Sequence, residues 1–398
     1  MEISQTRILN TDNLCPAADH CGGCIYQGIN YADQYAAKDK SVRRLLDKHD
    51  IEESVYLGME PAICTGAYRN KMEYTFGDLD KGGELELGMH FKGRFMSIIT
   101  TDACQLVPAS FNTVVRAVLD FCRSEGYVPY HRKTHLGLLR NLVVRCGVRT
   151  NELLINIVTS SEPGFDEEGF RDLLLSLNLD MTIVGIMRTF NDSVADAVID
   201  ESHKILYGRD YYNEEILGLK FKVNEFAFFQ TNIDAVERLY SDVLKVVPDV
   251  SGKVVYDLYC GTGTISQLMA HAAREVYGID IVEDSILAAR SNTELNGISN
   301  CHYICGDVKE KLDEIPVRPD VIIVDPPRVG IHDKAVAMLC RYGIEEIIYV
   351  SCNPKTLCIN LDSFRANGYE IKSIKAYDNF PMTKHVEMIC RLSRRKGE

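Results

Sequence analysis

The chain has 398 residues, 46% of them hydrophobic, and a formal net charge of −13. That length allows two or three domains with real cores, and no apolar run is long enough to span a membrane. The start, "MEISQTRILN", has no basic segment ahead of an apolar one, so a secretory signal is not expected and a cytoplasmic protein is. The acidic balance argues against attraction of polyanions over the whole surface and leaves room only for a local basic face. Fourteen cysteines in a reducing compartment point, where they cluster, to metal binding or catalysis rather than to disulfides.

Three stretches follow in order. Residues 1–110 carry Cys15, Cys21 and Cys24 in "CPAADHCGGC", spaced C-x5-C-x2-C, then a charged helix, "YADQYAAKDKSVRRLLDKH", and read as irregular elsewhere. Cys104 in "TDACQLVP" offers a distant fourth thiol, and four thiolates suit structural zinc. Residues 111–225 mix helices ("FNTVVRAVLDFCRSEG", "GFRDLLLSLNL") with short strands ("NELLINIVT", "LKFKVNEFAFF"), the pattern of an α+β domain. Candidate basic groups for a polyanion are Lys38, Lys40, Arg43 and Arg44 on the first helix, Arg69 and Lys71, and Arg140 and Arg145. A solvated helix face accounts equally well for the first four.

Residues 226–398 alternate strictly between strand and helix. The strands are "KVVYDLY", "EVYGIDI", "CHYICGD", "DVIIVDPP" and "EIIYVSC", with helices beginning near Thr264, Glu283, Lys309, His332 and Lys355. The last two strands, "YEIKSIKAY" and "HVEMICRLS", have no helix between them. This is a doubly wound α/β sheet whose closing strand pair resembles the seven-stranded sheet of the Rossmann-like methyltransferases.

The chemistry gathers at the carboxyl edge of that sheet. Gly261 and Gly263 in "DLYCGTGTIS" let backbone pass close to a ligand, and Asp280, nineteen residues after Gly261, can bind both hydroxyls of a ribose. Asp307 ends the third strand at the same edge. Ser266 stands where a dinucleotide site wants its third glycine, and Asp257, Tyr259 and Cys260 flank the turn, so S-adenosylmethionine suits the site better than a dinucleotide. Asp325 tips the fourth strand in "DPPRVG", where Arg328 replaces the aromatic residue expected of an amino methyltransferase. Cys352 tips the fifth. If these two strands pair, their tips lie about 4.8 Å apart. A thiol beside a methyl donor fits one problem well: carbon 5 of a pyrimidine becomes nucleophilic once a thiolate adds at carbon 6. Removal of the carbon 5 proton then needs a base, and His385 and Glu387 open the final strand on one face.

Together "FFQTN" (228–232), "YDLYCGTGTIS", "DPPRVG", "YVSCNP" and "FPMTKHVE" resemble the RNA uracil-5-methyltransferase family throughout 226–398. The resemblance implies that Gln230, Tyr259, Asp280 and Asp325 contact S-adenosylmethionine, that Cys352 is the nucleophile, and that Glu387 is the proton acceptor. The ribosomal-RNA branch of the family is similar in placing a [4Fe–4S] cluster on cysteines matching Cys15, Cys21, Cys24 and Cys104, which implies 23S ribosomal RNA as substrate, with transfer RNA as the alternative. A cytosine-5-methyltransferase would use the same adduct. A radical enzyme would need C-x3-C-x2-C, which is absent. Many relatives begin with a small RNA-binding β-barrel, TRAM; none precedes Cys15, so residues 111–225 are expected to grip more of the RNA. No membrane and no obligatory protein partner are expected.

Overall fold

The computed structural model describes residues 14–131, 133–194, 198–247 and 249–395. In chain order, helix α1 (Tyr31–Lys48) is followed by strands β1 (Tyr56–Glu60), β2 (Lys71–Asp78), β3 (Leu85–Phe91) and β4 (Arg94–Thr100). Next come α2 (Ala109–Ser124), β5 (Leu139–Gly147), β6 (Glu152–Thr159), α3 (Glu167–Ser176), β7 (Thr182–Phe190), β8 (Ser202–Gly208), β9 (Tyr211–Ile216) and β10 (Leu219–Asn224). Helix α4 (Ile233–Val246) leads into β11 (Val254–Leu258), α5 (Thr264–Ala270), β12 (Glu275–Asp280), α6 (Glu283–Leu295), β13 (Cys301–Cys305) and α7 (Val308–Lys311). The chain ends with β14 (Val321–Val324), α8 (Asp333–Tyr342), β15 (Glu346–Ser351), α9 (Pro354–Ala366), β16 (Tyr369–Tyr377) and β17 (Glu387–Arg394).

One sheet runs β1-β16-β17-β15-β14-β11-β12-β13. Strands β11, β14 and β15 are fully or almost fully buried along their length, as parallel strands covered on both faces must be. Their side chains alternate between two cores: Val254, Tyr256 and Leu258 face α1, α8 and α9, whereas Val255, Val321 and Ile323 face α4, α5 and the β9–β10 hairpin. Strand β17 lies antiparallel between β15 and β16, with Ser351 opposite Met388 and Tyr377 opposite Glu387. The sheet has one strand more than the seven expected. Strand β1 pairs in parallel with β16, so the amino-terminal stretch, read as irregular, contributes an edge to the catalytic sheet.

The second sheet, β4-β3-β2-β5-β6-β7-β8, is antiparallel except for β6–β7, whose parallel pairing needs the crossover that α3 supplies. Helices α2 and α3 cover one face. Among the described residues no helix is long and apolar enough to cross a membrane.

Candidate active site

Three adjacent strands, β14, β15 and β17, bring Asp325, Cys352 and Glu387 to one edge. Local sequence fixes each position. After Ser351 the chain must leave the strand, because Asn353 caps α9 by accepting from Lys355 N and Pro354 starts the helix with its preset φ. Cys352 is therefore held at the junction. The Asn353 amide and Thr356 hydroxyl donate to Arg328 O at 2.9 and 3.2 Å, tying the "DPPRVG" turn to the same helix start. Glu387 begins β17, while His385 lies two residues ahead of the strand rather than on it.

Burial and mutual repulsion perturb this group strongly. Burial pushes the Glu387 carboxyl up to about 7, with Arg328 the opposing influence. Asp325 is raised well above the usual carboxylate range by burial, then by Glu387 and Asp257. The Cys352 thiol is pushed up to about 11 by burial, Glu387 and Asp325, against a pull from Arg328.

The glycine turn lies alongside. Gly263 caps α5 at φ +74°, and a Cβ there would meet the Tyr303 hydroxyl, so only glycine fits. Tyr259 also has positive φ, +66°. The Asp280 carboxylate accepts from Gly261 N and from Val282 N, both at 2.9 Å, bracing the turn at the edge where a ribose would lie. Asp307 caps α7, accepting from Lys309 N at 2.8 Å, and adds to the burial that pushes the Tyr259 hydroxyl up to about 12. Gln230 hydrogen-bonds the Tyr240 hydroxyl at 3.3 Å, and burial, then Asp325, pushes that hydroxyl up. Asp257 is missing from the sequence-derived site set. It is buried, its carboxyl is pushed up to about 7 chiefly by burial, and it accepts from Ser266 Oγ at 2.5 Å while its Oδ1 has no partner. Its motif position beside the turn was the available signal.

Several proposed basic contacts turn out to be structural. Lys38 is buried in an ion pair with Asp378 at 2.6 Å. Arg145 is buried and donates to the carbonyls of Asn224, Glu225 and Ala227. Arg140 is buried too, donating to Asn191 O and Ser193 O. A guanidinium with its fork occupied by backbone carbonyls is not available to a phosphate.

The four cysteines singled out near the amino terminus share a corner. Cys24 and Cys104 pack with Cys64, Tyr68, Leu106 and Met382. Cys15 Sγ lies 3.9 Å from Ala103 O, beside Cys104. Burial, then the neighbouring thiols, push Cys24 up to about 12 and Cys104 to about 11, and Cys21 is raised by burial and Cys15. All are free thiols. Among the described residues, no three His, Cys, Asp or Glu side chains are arranged to close on a metal ion.

The strand order and glycine turn define an S-adenosylmethionine-dependent methyltransferase. The tRNA (uracil-5-)-methyltransferase family model matches residues 197–395. An uncharacterized RNA methyltransferase of Caldanaerobacter subterraneus is 44% identical over 99% of this chain and 87% of its own length. Another, from Clostridium acetobutylicum, is 45% identical over 96% of this chain and 84% of its own length. The crystal structure of Pyrococcus abyssi tRNA (uracil-54, C5)-methyltransferase in complex with S-adenosyl-L-homocysteine superposes with a TM-score of 0.76 at 27% identity, covering 98% of this chain and 86% of that one. The chain belongs to the uracil-5 RNA methyltransferase family and is an RNA (uracil-C5)-methyltransferase.

Proposed function

We propose that this enzyme methylates carbon 5 of a uridine in 23S ribosomal RNA through a bond from Cys352 Sγ to carbon 6, with Glu387 removing the carbon 5 proton. The observation that carries this reading is the convergence of a thiol and a near-neutral-pKa carboxyl at the tips of paired strands, beside Asp325. Gln230, Tyr259, Gly261, Asp280, Asp307 and Asp325, with Asp257, line the cofactor side. The unpartnered Asp257 Oδ1 suits an ammonium group, and the braced Asp280 carboxylate suits a ribose. S-adenosylmethionine, when bound, supplies the methyl group and a sulfonium charge that offsets these carboxylates.

With the Cys352 thiol pushed up to about 11, chiefly by burial, its proton passes to solvent as the substrate loads rather than beforehand. Its addition to carbon 6 sends an electron pair into the uracil ring as an enolate, which makes carbon 5 nucleophilic. After methylation, an ionised Glu387 takes the carbon 5 proton, the C–H pair re-forms the 5,6 double bond, and the thiolate leaves. Since Glu387 titrates near 7, both its forms are accessible at neutral pH. The test is a pair of variants. Cys352→Ala should form no RNA adduct, and Glu387→Gln should hold RNA in an adduct that survives denaturing electrophoresis. Normal turnover by Cys352→Ala would sink the mechanism, and 5-methylcytidine as product would move the enzyme to the cytosine class.

The thiol corner supports a [4Fe–4S] cluster on Cys15, Cys21, Cys24 and Cys104. Cys24 and Cys104 lie in an apolar shell, and burial pushes their thiols up to about 12 and about 11, whereas a coordinating thiol is deprotonated outright. Such a centre would tie residues 15–24 to Cys104, and uracil methylation calls on it for no electron. The ribosomal reading draws on this corner through resemblance. Transfer RNA is the second reading, favoured by the name of the family model and by the Pyrococcus abyssi enzyme. Efficient methylation of unmodified transfer RNA, with 23S ribosomal RNA untouched, would decide for it.

A further inference from the structure

Residues 378–386 join β16 to β17 and deliver Glu387 to the site, so whatever holds this segment sets the position of the carboxylate. The amino-terminal part of the chain supplies much of the hold. Lys38 Nζ on α1 pairs with Asp378 Oδ1 at 2.6 Å, both side chains at most 1% exposed. It also donates to Phe380 O at 3.0 Å and to His385 O at 3.1 Å, so all three of its protons are used. Gln34, one turn earlier, accepts from Met382 N at 3.1 Å. Ile25 N, next to Cys24, donates to Met382 O at 2.8 Å, and the Tyr68 hydroxyl donates to Pro381 O at 2.9 Å. Met382 sits at φ +66°, a left-handed conformation that a residue with a side chain keeps only when its surroundings enforce it.

We propose that Lys38 and Gln34, with the Ile25 amide, form a clamp that positions Glu387 for removal of the carbon 5 proton. The proposal rests on Glu387 being the base. Cys352 and Asp325 follow β15 and β14, whereas the clamp's hydrogen bonds to the closing segment end on residues 378–385, so the clamp bears first on the step that Glu387 performs. Slackening it moves Glu387 while leaving the nucleophile in place, and the adduct then outlives methyl transfer. Lys38 and Gln34 are positioning residues, reaching the chemistry only through the backbone of the segment. Through Ile25 and the packing of Met382 against Cys24 and Cys104, the same segment is joined to the thiol corner.

The test compares Lys38→Met, which keeps the apolar stem and removes all three hydrogen bonds, with Glu387→Gln and wild type on unmodified RNA. Rapid-quench assays should show methyl transfer within a few-fold of wild type and adduct breakdown slowed on the order of 100-fold, the usual size of an ångström-scale misplacement. Denaturing gels should show the Lys38→Met enzyme accumulating as an RNA adduct. Gln34→Leu, which loses the hydrogen bonds to Met382 and the one to Ile29 O but leaves Lys38 in place, should do the same more weakly, and it carries the test if Lys38→Met does not fold. Hydrogen exchange should rise at the Met382 amide in both. Uniform slowing of every step with no adduct would reduce the clamp to a structural tie and overturn the proposal, as would wild-type breakdown rates. If Glu387→Gln itself accumulates no adduct, the base assignment has failed instead.

Discussion

Replacing Glu387 by Gln should make the protein more stable above neutral pH while abolishing turnover. The folded-state pKa of about 7 stands above the ordinary 4.5, so the native state holds this proton more tightly than the unfolded chain does. The group's contribution is therefore fully favourable below about pH 4.5 and is lost as pH rises through 7. At 1.36 kcal/mol per pKa unit the ceiling is about 3 kcal/mol. Glu387 is coupled to Asp325, and Arg328 relieves part of the repulsion, so about 1–2 kcal/mol is the expected gain. Gln is nearly isosteric with the protonated acid and carries no charge. Urea melts of wild type and Glu387→Gln from pH 4 to 8.5 should coincide at the acid end, diverge between 4.5 and 7, and run parallel above. A difference that does not change with pH, or a variant less stable than wild type at pH 8, would refute the electrostatic account.

Glu387→Gln should also lower the Cys352 pKa from about 11, since after burial the repulsion of the Glu387 carboxylate helps hold it up; alkylation of that thiol at pH 8 should quicken several-fold, and an unchanged rate would count against the contact. Protein purified without oxygen should be brown and contain iron and acid-labile sulfide, whereas stoichiometric zinc with neither would replace the cluster assignment. Arg145→Met should destabilise by roughly 3 kcal/mol or more, because three backbone carbonyls lose their donor, and should leave the salt dependence of RNA binding as it was. A selective loss of RNA affinity with normal melting would restore Arg145 as a phosphate contact.

The catalytic half was legible because its signals are dense and redundant. Runs such as "VIIV" in β14, short and bounded by turn residues, read as buried parallel strands, and several end in a residue whose chemistry suits the sheet edge. Asp325 and Cys352 were read at such ends, and Glu387 at the opening of the closing strand. The amino-terminal strands were hidden by glycine. Gly88 interrupts β3 and reads as a breaker, yet a Cβ there would collide with Ile99 O on β4, so the residue that hides the strand is the one that lets it pair. Strand β1 has only five residues, with Gly58 at φ +90° inside it.

Lys38, Arg140 and Arg145 were misread for a different reason. Sequence supplies charge but not partner, and Lys38 looks the same facing solvent as it does facing Asp378, 340 residues away. That distance along the chain explains why the base loop cannot be understood from its own motif. "FPMTKHVE" names the residues that do the chemistry, whereas the groups that fix their geometry come from the helix "YADQYAAKDK" at the other end of the chain. An enzyme that must first bond to a base and then release it needs its nucleophile and its proton acceptor held independently. Here the sheet carries both, and α1 reaches across to hold the segment that leads into the second.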